Sequence, residues 1–188
     1  MTRLWLVRHG PTHAKTMVGW SDLPADLSDT AALARLRAYL PDAPVVSSDL
    51  IRASATADAL ARPHRLPHDP ALREINFGTW ELRTFIEIET EDPATIRAYW
   101  ENPGDIAPPG GESWNAVRAR VDTAIDGYVQ AGHADLIVVA HFGMILTQLQ
   151  RALGIGAYAA FGHKIDNLSV TDLRYDGAWT VGQINHSA

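Results

Sequence analysis

Two short apolar runs, Leu4 to Val7 and Leu136 to Ala140, each end at a histidine with a glycine close behind, as Arg8-His9-Gly10 and His141-Phe142-Gly143. Continuous apolar runs lack the alternation of a half-exposed strand. They suit strands covered on both faces, the condition of a parallel sheet flanked by helices. In such sheets ligands collect beyond the carboxyl ends of the strands, so both imidazoles are expected at one sheet edge.

The intervening segments read as helices and turns. Ser28 can cap a helix carrying Leu33, Leu36 and Leu40 that Pro41 stops, and Val45-Val46-Ser47-Ser48 reads as another strand. Asp49 or Ser48 can cap an alanine-rich helix from about Ile51 to Ala61. That places Arg52 in a first turn, where the helix dipole attracts anions. The stretch from Arg62 to Trp80 is expected to be a long irregular connection that contributes to a site. Short helices around Arg83 to Glu89 and Pro93 to Trp100 precede a proline- and glycine-rich loop from Asn102 to Gly111. Ser113 caps a helix with Val117, Val121, Ala124, Ile125 and Tyr128 on one face, and Ile145, Leu149, Ala152 and Leu153 line a helix that Gly154 ends. The tail turns at Tyr175-Asp176-Gly177 as a hairpin. One α/β domain spanning residues 1–188 is predicted.

Composition narrows the chemistry. The chain has no cysteine, which excludes disulfides, a thiolate nucleophile and cysteine-ligated zinc. A net charge of -6 disfavours nucleic acid as a partner. No apolar stretch is long enough for a membrane span or a signal peptide, so a cytoplasmic location is expected. Arg8 and Arg52 converge with the two histidines, a density of positive charge and donors that suits a dianion. A phosphoryl group fits: arginine forks neutralise its oxygens while a neutral imidazole nitrogen attacks phosphorus in line. Glu74, a carboxyl among apolar neighbours, is the best candidate for protonating the leaving alkoxide. From the residues alone, His9 and His141 are equal candidates for the nucleophile. A metal beside Arg8 and Arg52 is electrostatically unfavourable, and the spacing of His9, His13 and nearby carboxylates suggests no ligand set.

Five segments, Arg8-His9-Gly10, Ser47 to Ala53, Arg73 to Glu81, Pro109 to Ser113 and Val139-Ala140-His141, together resemble the motifs of the histidine phosphatase (phosphoglycerate-mutase-like) superfamily, and most closely its small phosphatases. They occur in the family's order across nearly the whole chain. The resemblance implies a three-layer α/β/α sandwich with a mixed, mostly parallel central sheet. It also implies a histidine acid-type phosphatase, a phosphoric monoester hydrolase that needs no cofactor or metal and acts on a small phosphorylated substrate. His9 would be the nucleophile, Arg8, Arg52 and His141 the phosphate pocket, and Glu74 the proton donor and later the base.

The sequence departs from the family at several places. Pro11 and Lys15 stand where the family commonly has glutamate or glutamine and a phosphate-holding asparagine, Phe142 replaces the first of two glycines, and Leu82 replaces another. Thr12 and Lys15 are carried as candidate phosphate contacts, although an exposed lysine fits Lys15 equally well. Glu74 can also be read as a surface partner of Arg73 or Arg83. Trp20 and Trp100 are candidates for shaping the cleft, His163 and Lys164 for its rim, and the acidic run Glu87, Glu89, Glu91, Asp92 reads as a solvated face. Two other functions compete with the phosphatase. One is a phosphoglycerate-mutase-type phosphoryl transfer, which the short chain disfavours. The other is a catalytically weak phospho-ligand-binding module, suggested by Phe142, Pro11 and Lys15. Neither the substrate nor the oligomeric state follows from the sequence.

Overall fold

The computed structural model describes all residues, Met1–Ala188. The strands are β1 (Thr2–Arg8), β2 (Val45–Ser47), β3 (Asp135–Ala140), β4 (Val170–Tyr175) and β5 (Trp179–Val181). They form one sheet in the order β2-β3-β1-β4-β5. β1 and β2 both pair parallel with β3, while β4 is antiparallel to β1 and β5 antiparallel to β4. Only β4 therefore runs against the others, so the sheet is mixed but mostly parallel. β1 lies at its centre, as expected of an apolar run covered on both faces.

The period-two alternation divides the core into two layers. Leu4, Leu6, Leu136, Val138 and Ala140 join a cluster of 23 buried residues with Val117, Val121 and Ile125 of α5 (Trp114–Gln130) and Ile145 and Leu149 of α6 (Phe142–Leu153). Trp5, Val7, Ile137 and Val139 face the other way. There they join a cluster of 12 with Leu36 of α1 (Thr30–Tyr39) and Ala53 and Ala57 of α2 (Ile51–Ala59). The result is helix, sheet, helix. Each large apolar side chain so enclosed contributes about 1.5–3 kcal/mol.

The remaining helices, α3 (Phe85–Glu91), α4 (Pro93–Glu101) and α7 (Ala157–Ala160), lie on the side of the larger cluster, to which they contribute Ile88, Ile96, Tyr99 and Ala157. Thr84 and Glu87 form a capping box on α3, Asp92 caps α4, and Glu89 and Glu91 pair with Arg97 and Arg83. The acidic run is thus committed to helix starts and ion pairs. The hairpin is present, with Gly177 in the left-handed region at φ 79°.

Two caps differ from expectation. Asp29, not Ser28, accepts from Ala32 N–H at the start of α1. At α2 neither Asp49 nor Ser48 caps the first turn: Asp49 forms a double hydrogen bond with Arg73 at 2.7 and 2.6 Å, and Ile51 N–H is satisfied by Asp22 at 2.7 Å. Asp22 is remote in sequence, so nothing local signals this cap. The Arg62 to Trp80 connection holds two short 3-10 turns, Pro70–Leu72 and Gly78–Trp80, and runs beside β2 through Leu66 N–H to Val45 O at 2.8 Å.

Candidate active site

The register of β1 against β3 pairs Arg8 with Ala140, so the next residue on each strand is one of the two histidines. His9 N–H donates to Ala140 O at 3.0 Å, and the ring centroids of His9 and His141 stand 5.1 Å apart. His9 is 6% exposed and His141 fully buried. A cleft of about 210 Å3 opens over His9, bounded by Arg8, His9, Arg52 and Glu74 and by the apolar side chains of Phe77 and Phe142. Five of the sequence-predicted residues, Thr12 among them, thus line one space, with His141 packed against the His9 ring.

The hydrogen bonds define the tautomer of His9. Nδ1 lies 2.6 Å from Gly10 O, which can only accept, so Nδ1 carries the proton. Arg52 Nε–H donates to Nε2 at 3.3 Å, so that nitrogen is unprotonated and its lone pair accepts from Arg52. Burial, with Arg52 and Arg8 adding to it, pushes the His9 imidazole down to about 3 against the opposing bond to Gly10. His141 is held well below its ordinary value by burial, then by His9, Arg52, Arg120 and Arg8. Both rings are therefore neutral near pH 7.

The guanidinium groups are fixed in place yet keep donors free. Arg52, 1% exposed, donates to Gly19 O at 2.6 Å and Ser21 O at 3.0 Å as well as to His9. Arg8 donates to Ile165 O at 2.6 Å and lies 5.3 Å over the Phe142 ring, while its Nε–H has no protein partner. Burial lowers both pKa values, and the charge of Glu74 offsets part of the effect. Neither ring nitrogen of His141 has a partner. Buried polar atoms in native proteins are nearly always satisfied, so unpaired donors around a cationic cleft describe a receptor for an anion.

Glu74 is 7% exposed and pairs with neither Arg73 nor Arg83, whose partners are Asp49 and Glu91. Its two oxygens accept from Ile75 N–H and Gly143 N–H, each at 3.0 Å. Gly143 lies in the first turn of α6, so the Glu74 side chain is anchored to the start of that helix. A Cβ at Gly143 would overlap Glu74 Oε1, which explains why this one position of the His141-Phe142-Gly143 turn keeps its glycine. The backbone of the acid loop is held by Arg120, which donates to Ala71, Arg73 and Glu74 carbonyls and pairs with Glu112.

The remaining candidates divide. Thr12 lines the cleft, whereas Lys15 stands exposed between two lining residues, Ala14 and Thr16, and is not part of the wall. Trp20 lies outside the cleft, donating to Glu74 O at 2.9 Å under Arg73; Trp100 backs Phe77 with centroids 6.3 Å apart. Lys164 is ion-paired with Asp166, and neither it nor His163 reaches the lining.

Two supporting residues escaped the sequence reading. Asn167 donates to His9 O at 2.8 Å. Glu81 accepts five hydrogen bonds, from the backbone N–H of Gly19, Trp20, Ser21 and Phe77 and from Ser21 Oγ. It therefore fastens the very loop whose carbonyls orient Arg52. Glu81 closes the Arg73 to Glu81 motif, but its partners are distant and no local pattern announces them.

Residues 4–186 match the family model of the histidine phosphatase superfamily (branch 1). The chain belongs to that superfamily. It is similar to a bifunctional protein of Mycobacterium tuberculosis, 34% identical over 207 residues that cover 99% of this chain and 54% of the other, so it spans about half the length of that relative. It is also similar to the adenosylcobalamin/alpha-ribazole phosphatase of Escherichia coli, 28% identical over 97% of this chain and 90% of that protein. Among solved structures, Bacillus stearothermophilus YhfR superposes with a TM-score of 0.90 at 27% identity, covering 100% of this chain and 98% of the other. The mycobacterial glucosyl-3-phosphoglycerate phosphatase superposes at 0.83 and 28%, covering 99% of each. This superfamily member thus has phosphatase relatives and their phosphoglycerate-mutase-like fold.

Proposed function

We propose that the protein is a metal-independent phosphatase that hydrolyses a small phosphomonoester through a phosphohistidine on His9. The observation that carries the reading is the tautomer of His9: Nδ1–H is tied to Gly10 O, and the unprotonated Nε2 accepts from Arg52, whose Nε–H would turn to a phosphate oxygen as Nε2 attacks, in a cleft that both arginines line. Phosphate oxygens would meet Arg8, Arg52 and the His141 ring, with Thr12 beside them. Nε2 forms the bond to phosphorus as the ester oxygen leaves, and Glu74 gives that oxygen its proton. Glu74, now a carboxylate, takes a proton from water; the hydroxide attacks phosphorus, the N–P bond breaks, and inorganic phosphate departs with the lone pair restored to Nε2. Two guanidinium groups supply the charge stabilisation a cation would otherwise provide, and a metal beside them would be repelled.

The test is an acid-labile, alkali-stable phosphoryl label formed during turnover in chelator. The label is expected to disappear in His9→Ala and persist in His141→Ala. Rapid exchange between phosphoglycerate isomers with no phosphate released would instead establish a mutase. Phosphate-dependent stabilisation without turnover would establish a binding module.

A further inference from the structure

Charge in the cleft comes from Arg8, Arg52 and Glu74 alone. Beyond Arg8, His9, Arg52 and Glu74 its wall is made by Ala14, Met17, Val18, Phe77 and Phe142, with Thr12 and Thr16 the only other polar side chains. Phe77 is backed by Trp100, which packs edge-on against Phe161 at 5.6 Å, and Phe161 lies 4.7 Å from Trp114. Phe77, with Met17 and Phe142 packed against the same cluster, makes this part of the wall an extension of the core.

No further cation lines that wall. Lys15 and Lys164, the chain's two lysines, are exposed, and Lys164 is paired with Asp166. Arg73, Arg83 and Arg97 are taken by Asp49, Glu91 and Glu89. Arg52 already donates to His9, Gly19 and Ser21, and Arg8 to Ile165, so what remains of the two guanidinium groups and of His141 is matched to the oxygens of one phosphoryl group. A second anion on the substrate would lie unpaired against apolar side chains with the Glu74 carboxyl nearby, a costly placement.

Resting on the phosphatase reading above, we infer that the site takes monoesters of uncharged, apolar alcohols, with the organic group lying on Met17, Val18, Phe77 and Phe142. Esters that carry a second anion next to the phosphate, of the phosphoglycerate kind, are disfavoured. This deepens the proposed function by assigning a leaving-group subsite and the residues that select it.

The decisive experiment pairs binding with turnover. Calorimetric titration with benzylphosphonate and with 3-phosphonopropionate compares an aromatic ring with a carboxylate on the same phosphonate head. Benzylphosphonate is expected to bind at least about tenfold more tightly, and kcat/KM for benzyl phosphate to exceed that for 3-phosphoglycerate by at least about tenfold, both leaving groups being alkoxides. Val18→Arg is expected to narrow both ratios by giving the carboxylate a partner. Equal or tighter binding of 3-phosphonopropionate by the wild-type protein overturns the inference and leaves the phosphatase reading intact. A preference for benzylphosphonate with no phosphate released from any ester overturns the phosphatase reading and retains the apolar subsite. Binding of neither phosphonate overturns both.

Discussion

Two charged centres are buried on this sheet, and they are built in opposite ways. At the carboxyl ends of β1 and β3, the Arg8 Nε–H and both ring nitrogens of His141 meet no protein group. On β4, Asp172 is 1% exposed and its carboxylate is fully engaged: Oδ2 accepts from Arg3 at 2.9 and 3.0 Å with Arg174 at 3.6 Å, and Oδ1 accepts from Gln183 N–H at 2.8 Å. The Asp172 centre ties β5 and the tail to the sheet; the His9 centre ties nothing further. A closed set of polar partners marks structure, and an open one marks a place where something binds.

The sharpest way to break this comparison is to remove His9. His9→Ala is expected to lower phosphate release from 4-nitrophenyl phosphate on the order of 10^4-fold or more with little change in thermal unfolding, because in the proposed mechanism the ring serves chemistry rather than packing. Unaltered turnover in a steady-state assay would dissolve the distinction.

Glu74→Gln comes next. A loss of about 10^2-fold or more in kcat is expected with an alkyl phosphate. The loss in the phosphorylation step should be smaller with 4-nitrophenyl phosphate, whose leaving group needs no proton, and rapid-quench measurement on both esters separates the two.

Asp172→Ala should do the reverse of His9→Ala. It leaves Arg3 and the Gln183 amide without their acceptor, and denaturant unfolding is expected to show a loss of about 2 kcal/mol. kcat/KM measured well below the midpoint should stay near the wild-type value.

Gly143→Ala probes the link between α6 and the acid. A new Cβ would displace the Glu74 carboxyl, and a drop in kcat of about tenfold is expected on the alkyl ester. Gly127→Ala, where a Cβ meets nothing within 4 Å, is the control and should leave kcat unchanged.

The smallest effect is in pH. His9 has its folded pKa lowered to about 3, so between the ordinary histidine value and 3 the unfolded chain binds a proton that the folded one refuses. Its contribution is destabilising on acidification: stability falls as pH drops from about 6.5, by roughly 1 kcal/mol at pH 5.5. The difference in unfolding free energy between wild type and His9→Gln across pH 7.5 to 4.5 measures it, and a flat difference would show that His9 titrates normally.

Much of the fold was legible because it rests on local periodicity. The apolar runs became the two central strands, Pro and Gly ended helices near where they were expected, and the Arg8, His9, Arg52, Glu74 and His141 grouping emerged from strand ends and motif order. What was not legible depends on contacts between distant segments. The cap of α2 comes from Asp22, Glu81 gathers a loop far from it in sequence, and Asn167 reaches back to His9. Ser28 and Asp29 are both competent caps by residue type, and it is Asp29 that accepts from Ala32 N–H. Lys15 was undecidable because a lysine stem can turn inward or outward from the same backbone; here it turns outward.

The pairing of Arg8 with Ala140 in the central ladder has a consequence for how this protein wears out. Because the two imidazoles are spaced by that strand register and not by a loop, they cannot separate unless the middle of the sheet opens. Heat inactivation should therefore coincide with global unfolding instead of preceding it. The same arrangement leaves the loop that carries Met17 and Val18 free to be exchanged for another without disturbing the spacing of the two rings.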